Sequence, residues 1–241
     1  TDCIGTCCAY TCVPHSAIPP GDPIAGRDAF LSGAFSSCGL PGSVFDLMPK
    51  EGEEPPTIPD RPGRNASLPY FMTAADSPNG VEVIATNCLR CHATTFMGEL
   101  VVGIGDPLVD DTEEVAGLVS LARAVTTDPD DLVELDRFLR TIEITDSLVL
   151  DTVGVTRGTT VVHAFVAYHD PATMAWLDEP GMDLPSTPVP MDIPPLWRMQ
   201  KKSALFANMA VTGDYTPWTA LPAFGCVESN DEAEALRALG P

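Results

Sequence analysis

Two cysteines and a histidine stand together near the middle of the chain, in the order Cys88-Leu89-Arg90-Cys91-His92. Two thiols three residues apart on one helical turn can each add to a vinyl group of the same porphyrin, and the histidine that follows can offer its imidazole to the iron. In a chain of this composition the pattern arises by chance only about 0.004 times. We therefore expect one covalently bound haem c, attached to Cys88 and Cys91, with His92 as the proximal ligand of the iron.

Other chemistries that use closely spaced cysteines fit the pattern less well. A thioredoxin-type redox pair is expected in a βαβ setting, which this sequence does not predict. A zinc site needs a second pair of ligands at a matching distance, and an iron–sulfur cluster needs four grouped thiolates. A plain disulfide between Cys88 and Cys91 would leave His92 without a role.

The sixth coordination position of the iron is open to several side chains. The candidates are Met97, Met174, Met182, Met191, Met199, Met209, His163 and His169. Met97 follows the motif too closely to reach the far face of the ring, and His163 and His169 are six residues apart, so they cannot share one face of a helix. An open position walled by an apolar side chain such as Phe165 is equally consistent with the sequence.

The elements that must position these residues are predicted to be mainly helical. Helix starts are indicated by Ser77-Pro78, by the capping-box-like Asp111-Thr112-Glu113-Glu114 and by Asp128-Pro129. The first helix would carry the chain to Cys88. Residues 148–155 are rich in strand-forming residues, 164–168 and 230–239 read as short helices, and 179–195 read as a proline-rich loop.

Many of the 24 prolines and 19 glycines lie in residues 1–70, which predicts an extended Cys/Pro-rich leader before a c-type haem domain over 71–241. The expected fold class is mainly α. We expect a cytochrome c-like haem domain with long Pro-rich loops, few short strands and a Cys-rich extended N-terminus.

Six cysteines remain outside the motif, at positions 3, 7, 8, 12, 38 and 226, an even number that allows three disulfides and 15 pairings. The cluster Cys3, Cys7, Cys8 and Cys12 predicts a disulfide-linked N-terminus. Zinc binding is the rival interpretation, for which the adjacent Cys7 and Cys8 are awkward. Disulfides imply an oxidising compartment, so we expect an exported protein, periplasmic, outer-surface or secreted. The start at Thr1, without Met, fits a mature processed form, and no run of 18 apolar residues predicts a membrane span.

The formal net charge is −21. It argues against unaided nucleic-acid binding, because no basic surface could neutralise phosphates, and it disfavours docking on anionic lipid. An acidic surface would steer a basic soluble partner toward this protein, although it could equally serve solubility alone.

The residues around the motif resemble a known family. Asn87-Cys88-Leu89-Arg90-Cys91-His92-Ala93, followed by Val101-Val102-Gly103-Ile104-Gly105, resembles the first haem segment of bacterial dihaem cytochromes c of the rubber-oxygenase type, distant relatives of dihaem cytochrome c peroxidases. Further matches are Thr156-Arg157-Gly158-Thr159-Thr160 with Phe165, and Met191-Asp192-Ile193-Pro194-Pro195-Leu196-Trp197-Arg198 before Lys201-Lys202. The resemblance spans residues 75–235.

The resemblance implies two haems, of which the first binds oxygen or peroxide and the second relays electrons. It implies that His92 is the proximal ligand and that Phe165 forms the distal wall. We keep His163 as the best single alternative, as a distal ligand of the iron. This chain has a single Cys-x-x-Cys-His and ends at Pro241, about where the second haem domain of the family is expected to begin. We therefore expect that domain to be lost or cleaved.

Three functions are compatible with these observations. The first is electron transfer, as a subunit or fragment of a larger exported redox protein whose redox partner is a basic protein or a second haem subunit. The second is a haem enzyme, a peroxidase or oxygenase, with an open distal site. The third is a structural or surface module that the haem staples together.

Overall fold

The computed structural model describes residues 21–48, 55–197, 204–205, 211–212 and 225–232. The chain divides into two compact units, one of Gly21–Trp197 with Ala220–Pro241 and one of Thr1–Pro20 with Arg198–Thr219. In the smaller unit the described residues form an antiparallel pair of short strands, Ala204–Leu205 and Val211–Thr212. The larger unit contains the Cys88–His92 motif.

Two small antiparallel sheets lie on either side of the motif in the sequence. The first has the strand order β1-β3-β2, with β1 at Leu40–Pro41, β2 at Met72–Asp76 and β3 at Glu82–Thr86. The second is a hairpin of β4, Ala93–Phe96, and β5, Glu99–Val102. Met97 and Gly98 form its two-residue turn, and both have positive φ, as a hairpin turn of the I′ type requires.

The prediction of a helix that begins at Ser77-Pro78 is wrong. Residues 77–81 form the turn between β2 and β3, in which the Gly80 N–H donates to the Ser77 carbonyl at 2.9 Å and Gly80 has φ of 79°. Proline at the second position of a turn followed by Asn79-Gly80 is a hairpin signal. The β-branched Val83 and Ile84 that follow are fully or nearly buried in the central strand.

The helices are α1 (Pro23–Ser32), α2 (Gly42–Phe45), α3 (Leu89–His92), α4 (Ala116–Val125), α5 (Pro129–Asp146) and α6 (Gly158–Ala167), with a 3-10 helix at Gly63–Ser67. The predicted start of α5 is confirmed. The Asp128 side chain accepts from the N–H groups of Asp130 and Asp131, and Pro129 occupies the first helical position.

The mainly α fold class is wrong, because both flanks of the motif are strands and the described fold mixes helices with small sheets. The expectation of an extended N-terminal segment is also wrong from residue 21 onward, where the chain forms α1 and β1. β1 pairs with the central strand β3 and therefore belongs to the same sheet as residues beyond 70. Cys3, Cys7, Cys8 and Cys12 lie outside the described residues.

The second predicted helix begins later than expected. Asp111 does not cap it. α4 starts at Ala116, and the Asp146 carboxylate at the end of α5 accepts from the N–H groups of Val115 and Ala116, each at 2.6 Å.

The remaining elements agree with the predictions only in part. α6 begins at Gly158, six residues before the predicted 164. Residues 148–155 form no strand, residues 179–190 are irregular as predicted, and helix begins at Asn230, although most of 230–239 lies outside the described residues.

Two apolar clusters form the described core. One joins Leu31, Ile58, Leu89 and Ala93, with Phe30, Tyr70, Leu100 and Val102 packed against it. The other joins Val44, Val119 and Leu135, with Leu40, Ala122, Phe138 and Leu139 around it. The first cluster brings together residues of α1, α3 and β4, so the motif is packed against the part of the chain that precedes residue 70. Within the described ranges, no helix is long and apolar enough to span a bilayer.

A disulfide joins Cys38 to Cys226, 188 residues apart in the sequence. Both cysteines are buried. Arg137 of α5 strengthens the same junction, because its guanidinium donates to the carbonyls of Ser37 and Cys226. The segment 225–232 is thus joined to the rest of the larger unit by one covalent bond and by the buried Arg137.

We predict that the double variant Cys38→Ala/Cys226→Ala loses about 2–5 kcal/mol of unfolding free energy, because the cross-link no longer restricts a long loop in the unfolded chain. Urea unfolding followed by circular dichroism measures the loss. Peptide mapping without reductant should recover Cys38 linked to Cys226. An unchanged urea midpoint, or Cys38 linked to another cysteine, would contradict the prediction.

Candidate haem-attachment site

The motif occupies a single helical turn. α3 contains only Leu89–His92, with Cys88 as the residue before it, and the His92 N–H donates to the Cys88 carbonyl at 3.0 Å. Two backbone hydrogen bonds also connect the turn to residues that follow it in the chain. The N–H groups of Gly103 and Asp106 donate to the carbonyls of His92 and Cys91, at 2.7 and 2.9 Å.

Asn87 caps the turn from its N-terminal side. Its side-chain oxygen accepts from the Leu89 N–H at 2.8 Å, and its amide donates to the Tyr70 carbonyl at 3.1 Å. The Asn87 N–H also donates to the Phe71 carbonyl. The side chain is buried, so these bonds satisfy polar groups that water does not reach. Asn87 therefore joins the start of the motif to the chain before β2.

The side chains of the two residues between the cysteines contact different parts of the fold. Leu89 is fully buried in the apolar cluster with Leu31 and Ile58. Arg90 donates to an Asp111 carboxylate oxygen and to the Asp110 carbonyl, both at 2.8 Å. Leu89 and Arg90 thus contact other parts of the fold, whereas the side chains of Cys88 and Cys91 are half-buried free thiols.

Both cysteines are free thiols. Burial raises the pKa of Cys88 to about 11, with a further contribution from nearby Cys91. Burial also raises the pKa of Cys91, against the opposing effect of the Arg90 guanidinium. A thioredoxin-type pair requires a lowered thiol pKa, so these protonated thiols do not suit that chemistry.

His92 lies at the end of the turn with a half-buried imidazole. Its Nδ1 is buried, and no described group makes a hydrogen bond of normal geometry to it. Burial lowers the pKa of His92, while the carbonyl of Pro194, which faces the ring, has the opposite effect. The lowered pKa favours the neutral imidazole, which is the form that coordinates a metal.

The segment 191–197 lies against the strand that follows the motif. The Leu196 N–H donates to the Gly103 carbonyl at 2.8 Å, and Trp197 Nε1 donates to the Val102 carbonyl at 3.1 Å. A Cβ at Gly103 would lie 2.7 Å from Trp197 Nε1, and one at Gly105 would collide with the Ile193 carbonyl. Glycine at these two positions lets the segment approach, and the approach places Pro194 beside His92.

The predicted distal residues lie on α6. Phe165 is buried, and a Cβ at Gly225 would come within 2.6 Å of its ring. The distal-wall role of Phe165 stays a prediction, as does that of His163, whose side chain is exposed. His169 is buried, and its two ring nitrogens lie 2.5 and 2.8 Å from the carbonyl oxygens of Phe165 and Val227, so both nitrogens face groups of the fold itself.

The candidate methionines are dispersed. Met97 is 89% exposed in the β4–β5 turn, Met182 is exposed and Met174 is half-buried, whereas Met199 and Met209 lie outside the described residues. The Met191 backbone pairs with Thr156, and its sulfur accepts from the Thr159 hydroxyl. The Thr156 hydroxyl in turn donates to the Asp111 carboxylate, which pairs with Arg90 of the motif. Met191 is therefore connected to the motif through Thr156 and Asp111.

Sequence reasoning missed the anchors of the turn. An asparagine two residues before Leu89 is a local signal for the cap, because Asn side chains accept from backbone N–H groups two residues on. The sequence around Asp111 predicts a helix start instead, and its partner Arg90 is 21 residues away. No local pattern encodes that pair.

Comparison with protein-family models, with curated proteins and with solved structures finds no match for this chain. Within the described residues, no three His, Cys, Asp or Glu side chains form a group that could hold a metal ion by themselves.

We predict that Leu89→Ala lowers the unfolding free energy by about 2–5 kcal/mol, because it removes a fully buried side chain from the cluster that anchors the motif. The matched control is Leu108→Ala, whose side chain is 72% exposed and whose effect should stay within about 0.5 kcal/mol. Urea unfolding of the two variants provides the measurement, and equal losses would refute the anchoring role.

Proposed function

We propose that this chain is a c-type haem protein that transfers electrons, as a subunit or fragment of a larger exported redox protein. One observation carries the proposal. Cys88 and Cys91 are unpaired thiols on a single turn that also presents His92, and the residues between them are anchored in other directions.

The residues present fit a haem group. Cys88 and Cys91 would attach it through thioether bonds, and His92 would ligate the iron. The buried Nδ1 of His92 lacks a hydrogen bond of normal geometry among the described residues, and the nearby Pro194 carbonyl could orient the ring. The bound haem would supply one-electron oxidation and reduction of its iron.

The Cys38–Cys226 disulfide supports a site of action in an oxidising compartment, the periplasm, the outer surface or the medium. The net charge of −21 supports a basic redox partner, whose approach the acidic surface would accelerate at low ionic strength. A second haem subunit would be an alternative partner. We also propose distant relationship to the dihaem cytochromes c of the rubber-oxygenase type, on the motifs described above.

We predict that His92→Ala abolishes the low-spin visible spectrum of the reduced protein, because the iron loses a strong axial ligand. The control is Met97→Ala, which alters an exposed side chain in the β4–β5 turn and should leave the bands in place. Visible absorption spectra of the two purified variants, recorded oxidised and reduced, test the assignment. A His92→Ala spectrum identical to that of the parent protein would contradict it.

The spin state of the parent protein separates electron transfer from haem-enzyme chemistry. Electron transfer is favoured by a low-spin iron with two strong ligands that does not bind carbon monoxide. A high-spin iron that binds carbon monoxide readily would instead favour the peroxidase or oxygenase alternative, in which Phe165 walls an open position.

A further inference from the structure

Arg61 is a buried arginine that lies just before the 3-10 helix Gly63–Ser67. The residue is 4% exposed. Its guanidinium donates to the Pro69 carbonyl at 3.2 Å and to the Met72 carbonyl, while its buried Nε makes no hydrogen bond. Two neutral carbonyls are therefore the described partners of a group that carries a full positive charge and five N–H donors.

Other arginines with a buried Nε differ from Arg61 in the charges around them. Arg64, Arg137 and Arg140 share the unbonded Nε, but each of them forms an ion pair with a glutamate. Within the described ranges Arg61 forms no ion pair with a carboxylate, and burial lowers its pKa without an opposing charge. A buried cation without a counter-charge is costly. Arg61 therefore has the character of a binding site for an anion.

Arg61 binds the same short turn of chain that Asn87 binds. A hydrogen bond from the Met72 N–H to the Pro69 carbonyl, at 3.0 Å, closes this four-residue turn. Arg61 donates to the carbonyls of its first and last residues, whereas Asn87 donates to the carbonyls of the two residues between them. Cys88 follows Asn87 directly in the chain. A single turn therefore connects the unpaired guanidinium to the start of the motif.

We propose that Arg61 binds a propionate carboxylate of the haem, which supplies its missing counter-charge. The inference rests on the proposed function. Haem carries two propionates, and the planar guanidinium fork matches the two oxygens of a carboxylate. The ion pair would offset the cost of burying Arg61 and would hold the haem to a part of the chain outside the motif. A positive charge beside a carboxylate favours its ionised form, so one propionate should keep its charge to a lower pH than the other.

The test observes the propionates directly. The full chain is exported from a bacterial host that matures c-type cytochromes and depends on supplied 5-aminolaevulinate, given with ¹³C at its carboxyl carbon, so that both haem propionates carry the label. Infrared difference spectra recorded over a pH titration follow the labelled carboxylate bands. In the parent protein the acid dissociation constant of one propionate should exceed that of the other by about tenfold or more. In Arg61→Gln the larger constant should fall by about the same factor.

The matched control is Arg64→Gln. The Arg64 guanidinium already pairs with the carboxylates of Asp46 and Glu82, so both propionates should titrate in this variant as they do in the parent protein. Arg61→Lys keeps the positive charge without the planar fork and should restore at least part of the larger dissociation constant. A role limited to the carbonyl hydrogen bonds of Arg61 would not produce this rescue.

Unchanged titration of both propionates in folded Arg61→Gln would overturn the inference. If that variant does not fold, the parent protein alone decides, because equal dissociation constants of its two propionates would also overturn it. Acetate labelled with ¹³C tests the other source of a carboxylate. Acetate bands that shift with the parent protein but not with Arg61→Gln, while the propionates titrate alike in both, would assign the site to a free carboxylate instead. Parent protein without covalent haem would overturn the proposed function and this inference with it, a result distinct from all of these.

Discussion

The motif Cys88–His92 depends on a helical turn that cannot be stable alone. A four-residue helix pays the cost of nucleation without the hydrogen bonds of further turns, so its conformation must come from tertiary contacts. Those contacts are the Asn87 cap and the complete burial of Leu89 against Leu31 and Ile58. The two thiols and the imidazole share one side of the chain only because this turn is held. Residues that precede position 70 therefore help to build the site.

An ion pair also holds the turn in place. Asp111 and Arg90 place opposite charges beside the motif, and the cost of removing a carboxylate from water is offset by further donors, Thr156 and the Arg157 N–H. A buried cation, Arg137, holds the segment 225–232 beside the Cys38–Cys226 disulfide. Both networks join residues far apart in the sequence. The fold around the motif is thus fixed by polar junctions as well as by the small apolar clusters.

Local chemistry explains which features could be predicted from sequence. The motif is defined by residue types at fixed spacing, and the start of α5 by Asp128 with Pro129 at the first helical position. Ser77-Pro78 carries the same two signals but begins a hairpin turn. Asn79-Gly80 favours the turn, and the β-branched residues that follow favour the strand β3. The partner of Arg90 could not be predicted, since nothing near Asp111 distinguishes a buried ion-pair partner from a helix cap.

The central claim is that the thiols of Cys88 and Cys91 carry one haem. The most direct measurement is peptide mass spectrometry of the exported protein after acid–acetone extraction, which removes haem that is not covalently bound. We expect one haem per chain, retained on a single peptide and joined to both cysteines. Haem that extracts completely, or a Cys88–Cys91 peptide that carries zinc or an internal disulfide in place of haem, would contradict it.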